Sequence, residues 1–182
     1  MAEIELHTDK FLLRPVTVQD TEALFQYKSD RITNKYQGWI PSQIKDVYDF
    51  IENQISSEIN IPNTWYQLAI VTKKNDMLIG DIGLHFIDPG NKQVEIGFSI
   101  DKSYQGKGYA TEAIEKVIEY LFKKLNKHRV IASVDPGNIK SIRLLERLRF
   151  RKEAHFKKSI LCRGEWVDDV IYAILQEEWL NQ

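Results

Sequence analysis

The chain has 182 residues, 43% of them hydrophobic, and a formal net charge of −1. That length and composition fit a single domain with a full-sized core, expected over residues 1–182. The near-neutral balance and a pI of about 6.4 provide no basic field for nucleic acid or an anionic membrane, and no apolar run approaches the roughly 18 residues needed to cross a bilayer.

Met1 to Lys10 has no apolar h-region and carries Glu3, Glu5 and Asp9, which argues against a signal peptide. One cysteine, Cys162, excludes an internal disulfide framework and fits a reducing compartment, so a cytoplasmic protein is expected.

Phe11 to Arg14 reads as an opening strand. Thr17 followed by Asp20 resembles a capping box ahead of a helix from about Val18 to Lys28. Pro41-Ser42 starts a second helix, in which Ile44, Val47, Tyr48, Ile51 and Ile55 keep helical spacing. Trp65 to Thr72, Met77 to Phe86 and Gln93 to Ile100 read as strands. Short turn-rich links at Lys73 to Asp76 and Asp88 to Asn91 join them, which predicts an antiparallel meander.

Next comes Gln105-Gly106-Lys107-Gly108-Tyr109-Ala110, between a strand and the best amphipathic helix. That helix carries its apolar stripe from Ala110 through Ala113, Ile114, Val117, Ile118, Leu121 and Phe122 to Leu125. Its outer face offers Glu112 with Lys116 and Glu119 with Lys123, both in the favourable order. Val130 to Val134 is a strand, Asp135-Pro136-Gly137 a turn, and Asn138 the N-cap of a helix through Leu148. Phe150 to Leu161 and Trp166 to Leu175, joined around Arg163-Gly164, form a closing hairpin. The pattern is that of a mixed sheet with helices on its faces, an α+β fold.

Two glycines at a helix N-terminus leave backbone N–H groups facing outward at the positive end of the helix dipole. This arrangement suits a phosphate or pyrophosphate, though Gly-x-Gly alone also fits a plain strand-to-helix turn. The loop is not G-x-x-x-x-G-K-S/T, because Lys107 lies between the glycines. Nor is it G-x-G-x-x-G, which needs a third glycine and a preceding βαβ unit. In the strand before it, Glu95, Gly97 and Ser99 alternate with Val94, Ile96, Phe98 and Ile100, and the interior glycine marks a bulge or a close approach by a ligand.

Taken together, these segments resemble the GCN5-related N-acetyltransferases (GNAT). Gln105-x-x-Gly108-x-Ala110 is similar to that family's acetyl-CoA pyrophosphate signature, Q/R-x-x-G-x-G/A. The resemblance covers nearly the whole chain and narrows to the RimJ/RimL-like branch. It runs through Phe11-Leu12-Leu13-Arg14-Pro15, Ile79-Gly80-x-Ile82-Gly83-Leu84, Glu95-Ile96-Gly97-Phe98 and His128-Arg129. It continues through Asn138-x-x-Ser141-x-x-Leu144-Leu145-Glu146 to Gly164-x-Trp166-x-Asp168.

The resemblance implies a central mixed, mostly antiparallel sheet of about seven strands flanked by about four helices. It also implies an enzyme that moves acetyl from acetyl-CoA directly to a primary amine, releasing CoA. Backbone groups of Phe98, Ser99 and Ile100 would pair with the pantetheine arm, where the neighbouring strands splay apart. Backbone N–H groups of Gly106, Lys107, Gly108, Tyr109, Ala110 and Thr111 would hold the pyrophosphate, with Gln105 and the Lys107 side chain in support. Asn138 would bond the pantetheine or phosphate portion, and Ser141 would protonate the leaving thiolate.

An α-amino acceptor, with pKa ~7.7–8.0, is partly neutral at pH 7, whereas a lysine amine at ~10.4 is charged and needs a base. Glu95 is the candidate base, acting through water, unless it is a solvated carboxylate paired with a lysine. The glutamate that some relatives carry on the penultimate strand is missing, since Ser159, Ile160 and Leu161 occupy that region. Arg149 stands where the family usually has glycine, so it must adopt a positive φ or the helix must end differently.

Four weaker readings remain. His85 faces the acceptor pocket or is a strand histidine satisfied by hydrogen bonds. Asp168 and Asp169 form no metal site and belong to a strand start or to acceptor recognition. Cys162 reads as a small buried hydrophobe rather than a nucleophile. Trp39, Trp65, Tyr36 and Tyr66 belong to the core or line the acceptor channel.

The expected acceptor is a protein or peptide N-terminus. A small amine such as a polyamine or an aminoglycoside-like compound is the alternative, and a non-catalytic acyl-CoA sensor is a third reading. Neither nucleic acid, membrane nor metal is expected as a partner, and the chain is read as a monomer or homodimer.

Overall fold

The computed structural model describes residues 4–181. Residues 1–3 and 182, Glu3 among them, lie outside the described residues. The strands are β1 (Leu6–His7), β2 (Phe11–Pro15), β3 (Trp65–Thr72), β4 (Leu78–Phe86), β5 (Gln93–Ile100), β6 (Arg129–Val134), β7 (Arg151–Cys162) and β8 (Glu165–Leu175). The α-helices are α1 (Thr21–Lys28), α2 (Ile44–Asn53), α3 (Tyr109–Lys123), α4 (Ile139–Arg147) and α5 (Gln176–Leu180).

One sheet runs β1-β2-β3-β4-β5-β6-β8-β7. Each neighbouring pair is antiparallel except β5 with β6, which is parallel. The meander β3–β4–β5 is therefore as the turn signals predict. Eight strands and five α-helices in the described residues exceed the expected seven and four by β1 and α5. β1 has two residues and α5 five, too short for a hydrophobic period to register.

Apolar residues divide between the two faces of the sheet. On one face α3 buries Ala113, Ile114, Val117, Ile118, Leu121 and Phe122 against Leu68, Ile82, Leu84 and Ile96. On the other, α1 and α2 cover Ala69 and Val71 with Leu24, Tyr27, Val47 and Ile51. The apolar stripe of α2 is narrower than its spacing predicts, since Ile44 and Tyr48 are half exposed. α1 is tied to the sheet by the buried Asp81, which accepts from Tyr27 Oη and pairs with Lys28 Nζ at 2.9 Å. Burial and that carboxylate push the Tyr27 phenol well above its usual range, so it stays a donor.

Three local expectations change in detail. Val18–Asp20 forms a 3₁₀ turn, and α1 follows it. The box itself holds, with Thr17 N–H donating to Asp20 Oδ2 at 2.8 Å. On α3, Lys123 and Lys116 both reach Glu119, at 3.1 and 3.0 Å, while Glu112 is taken by Lys10 at 2.8 Å. The Glu112–Lys116 pair gives way because the turn before β2 brings a lysine of its own. Arg149 adopts φ 63°. Its N–H bonds Glu146 O at 2.9 Å and Phe150 N–H bonds Leu145 O at 3.0 Å, so α4 ends in a Schellman motif with arginine in the glycine position.

Candidate active site

β5 and β6 pair only over Gln93–Glu95 and Arg129–Ile131. Beyond Glu95 they diverge, and a cleft of about 620 Å³ opens between them, walled by Glu95, Gly97 and Phe98 on one side and Ser133, Asn138 and Ser141 on the other. In place of a strand partner, the Phe98 carbonyl accepts from Gln37 Nε2 at 3.2 Å. The Ile100 carbonyl likewise accepts from Gln105 Nε2 at 3.0 Å. Ser99, by contrast, is buried in register with Asp81 of β4.

The glycine loop lies outside the lining of this cleft, at the start of α3. Gly106 and Gly108 have φ of 74° and 85°, and nothing lies within 4 Å of where a Cβ would sit on either, so the loop presents an open surface. Glu112 N–H donates to Gly108 O at 3.1 Å, the first rung of the helix. The N–H groups of Tyr109, Ala110 and Thr111 precede that rung and are free for an anion at the positive helix end. Lys107 Nζ bonds Ser103 O at 2.8 Å. Lys140 Nζ reaches Gln105 Oε1 at 3.5 Å and Arg147 reaches Thr111 Oγ1 at 3.4 Å. Both cations come from α4, and only the packing of α4 beside α3 reveals them. The open glycine cradle and three cations fit a pyrophosphate.

Asn138 caps α4 by accepting from Ser141 N–H at 3.3 Å. Ser141 faces the cleft, and among the described residues its hydroxyl has no hydrogen-bond partner. Tyr36 Oη donates to Gly137 O at 2.8 Å, and Arg163 at the β7–β8 turn donates to Gln37 O at 3.1 Å and to Lys35 O. The segment 35–37 therefore bridges the cleft from three directions. Neither Gln37 nor Arg163 carries a signal in the sequence, because both act through backbone oxygens far away in the chain.

Glu95 takes a histidine and not a lysine as its partner, with His85 Nδ1 3.4 Å from Glu95 Oε2. The His85 ring stacks on Trp65, centroids 4.6 Å apart and planes 9° apart. Trp65 and Tyr36 line the cleft, whereas Tyr66 is buried in the core and Trp39 stacks on Phe50. Cys162 is half-buried and lines the cleft. Asp168 is held by Lys157 Nζ at 2.9 Å, His155 Nε2 at 2.8 Å and Lys158 N–H at 2.9 Å, which keep its carboxyl well below the usual range. It braces the irregular pairing between Phe156 and Ile160 rather than a strand start. Asp169 bonds Ser133 Oγ at 2.7 Å and faces the cleft. Among the described residues no His, Cys, Asp and Glu side chains group as metal ligands, and no helix is long and apolar enough to cross a membrane.

A family model described as an acetyltransferase (GNAT) domain matches residues 10–151. The chain is 35% identical over 178 residues to the uncharacterized N-acetyltransferase YnaD of Bacillus subtilis, covering 97% of this chain and 99% of that one. It is 38% identical over 84 residues to the ribosomal protein uS5-alanine N-acetyltransferase of Escherichia coli, covering 46% and 43%. Among solved structures, an acetyltransferase of the GNAT family from Bacillus anthracis superposes with TM-score 0.85 at 30% identity, covering 96% of this chain and all of that one. With the sheet order, the cleft and the glycine cradle, these matches identify the chain as a member of the GNAT family, an acyltransferase that uses acetyl-CoA.

Proposed function

We propose that this single domain is a RimJ/RimL-like enzyme of the cytoplasm that acetylates the α-amino group at a protein or peptide N-terminus, of the ribosomal-protein type. The observation that carries the reading is the cleft between β5 and β6, with a carboxylate at Glu95 and an unpartnered hydroxyl at Ser141 on its opposite walls. The partial match to the uS5-alanine enzyme supports the acceptor class.

In this reading acetyl-CoA is the acyl donor, with its pyrophosphate on the N–H groups from Gly106 to Thr111. Lys107, Lys140 and Arg147 supply positive charge nearby, and the Phe98 and Ile100 backbone faces the pantetheine. Trp65 and Tyr36 border the acceptor's approach. Glu95 accepts a proton from the ammonium through water, and the neutral nitrogen attacks the thioester carbonyl carbon. As the carbon–sulfur bond breaks, Ser141 Oγ–H protonates the sulfur, and the proton lost by the newly acylated nitrogen returns to the Ser141 oxygen through water. Glu95 is poised for its part because His85, backed by Trp65, holds one carboxylate oxygen and leaves the other to the cleft.

The test is thiol release from acetyl-CoA with a panel of N-terminal peptides, polyamines and aminoglycosides. Peptides beginning with a small residue are expected to be the best acceptors by kcat/KM. Higher kcat/KM with spermidine or an aminoglycoside would replace this reading with the small-amine alternative.

A further inference from the structure

The cleft holds more carboxylates than cations. Glu95, Asp135, Glu165, Asp168 and Asp169 line it, against Lys35 and Arg163. Both cations are committed elsewhere, Arg163 to the backbone oxygens of segment 35–37 and Lys35 over the Tyr36 ring at 4.6 Å. Asp168 is neutralised by Lys157, Glu95 is in contact with His85, and Asp135 Oδ1 accepts from Gly137 N–H at 2.7 Å.

Asp169 differs from these, and from the exposed Glu165, in being buried as well as unpaired. It is 8% exposed, and among the described residues its carboxylate accepts one hydrogen bond, from a neutral hydroxyl, and pairs with no cation. A carboxylate so enclosed, with one oxygen held by a neutral hydroxyl and the residue lining the cleft, is placed to receive a positive charge that enters there. Strand register shows where that charge would sit. Trp65 lies opposite His85, His85 opposite Glu95, and Glu95 opposite Ile131. Ser133 is two residues beyond Ile131 and lies opposite Ile171, which is two residues from Asp169. Trp65, His85, Glu95, Ser133 and Asp169 therefore share one face of the sheet. This is the face bordered by segment 35–37, away from the glycine cradle on α3.

We propose that Asp169, oriented by Ser133, binds the ammonium of the acceptor amine and holds it opposite Glu95, making Asp169 the acceptor-anchoring residue of this enzyme. The proposal rests on the cleft being the acceptor site. It divides the labour between two carboxylates, one holding a charge and the other removing a proton.

The test compares Asp169→Asn and Ser133→Ala with the unaltered protein. Asparagine keeps the size and can still accept from Ser133, so folding is expected to survive, and Ser133→Ala serves as a milder perturbation if it does not. A hydrogen bond to a charged group contributes ~1.5–3 kcal/mol, so Asp169→Asn is expected to raise the acceptor KM by about ten- to a hundredfold. The kcat and the KM for acetyl-CoA should move far less, and Ser133→Ala should raise the acceptor KM by a smaller factor. Calorimetry adds a readout that needs no turnover. Alanyl-alaninamide binding to the protein–CoA complex should weaken in Asp169→Asn, while the N-acetylated peptide, which lacks the ammonium, should bind both proteins alike. An unchanged acceptor KM, or equal losses for charged and acetylated peptides, overturns the proposal. If the unaltered enzyme acetylates some other amine and not peptides, the N-terminal reading fails, and the same variants are then decided with that amine. If peptides are acetylated and Asp169→Asn behaves as the unaltered protein, Asp169 alone is disproved.

Discussion

The side-chain amide of Gln37 donates to the Phe98 carbonyl at 3.2 Å, across the mouth of the gap between β5 and β6. This carbonyl faces the gap and is among those that the family resemblance assigns to the pantetheine arm. If Gln37 and the pantetheine arm compete for this carbonyl, removing Gln37 favours acetyl-CoA. A net hydrogen bond contributes ~0.5–1.5 kcal/mol, so Gln37→Ala is expected to tighten acetyl-CoA binding by about two- to tenfold, measured by calorimetry. Unaltered or weaker binding would show that the two contacts do not compete.

Glu95→Gln tests the base. General-base catalysis contributes about 10²- to 10⁴-fold, and more is required of it when the acceptor is almost wholly protonated. The loss in kcat should be larger for a lysine-type amine (~10.4) than for an α-amine (~7.7–8.0), and for the α-amine it should shrink above about pH 8. Rate–pH profiles with the two amines decide it. An equal, pH-independent loss for both would assign Glu95 to structure.

Ser141 presents an uncommitted hydroxyl to the cleft while its N–H is used by Asn138. Ser141→Ala keeps that cap intact, so kcat should drop by about 10²-fold with little change in acetyl-CoA affinity. A rate equal to that of the unaltered enzyme removes it as the acid.

Lys127 is 1% exposed, and its ammonium donates to Asn91 O at 2.5 Å and to Asn91 Oδ1 at 2.6 Å above the Phe86 ring. Burial lowers its pKa to about 8, with Lys92 adding to the fall and Asp88 opposing it. Because the folded value lies below the ordinary 10.5, the unfolded chain binds more protons between those limits. Stability should therefore rise from about pH 8 toward pH 9.5. Lys127→Met should flatten that rise in urea midpoints taken at pH 7.5, 8.5 and 9.5. A slope equal to that of the unaltered protein would refute the assignment.

Arg149 sits at φ 63° in the turn that closes α4. The left-handed conformation costs a side-chain-bearing residue ~1–2 kcal/mol, and glycine is free of that penalty. Arg149→Gly should raise Tm by about 2–4 °C per kcal/mol in a domain of this size, read by calorimetry. A lower Tm would mean that the arginine side chain contributes more than its backbone costs.

What the sequence made legible follows from range. Elements with several periods of hydrophobic spacing, such as Ala110 to Leu125 and the strands of the meander, are readable because the cause is local. So is the Asp20 cap of the first helical turn. Bonds between distant segments are not. Nothing local marks Lys10 for Glu112, Arg163 for the backbone at Lys35 and Gln37, or Lys140 for Gln105. Asp168 and Asp169 are adjacent and alike in the sequence, and their roles separate only once β8 lies against β6. Both line the cleft, but Asp168 is tied to Lys157 and the β7 backbone while Asp169 is bonded only by Ser133 of β6 among the described residues.

The divergence of β5 from β6 gives the sheet four rims instead of two. The outer pair is guarded in familiar ways, β1 by brevity and β7 by three lysines, Arg151 and irregular pairing. The inner pair is guarded by enclosure, because the two exposed backbones face each other beneath segment 35–37. A molecule lying between them meets main-chain groups of β5, such as the Phe98 carbonyl, that face a cleft instead of a neighbouring strand. The same sheet thus closes its outer rims to further pairing and leaves main-chain polar groups at its centre available for recognition.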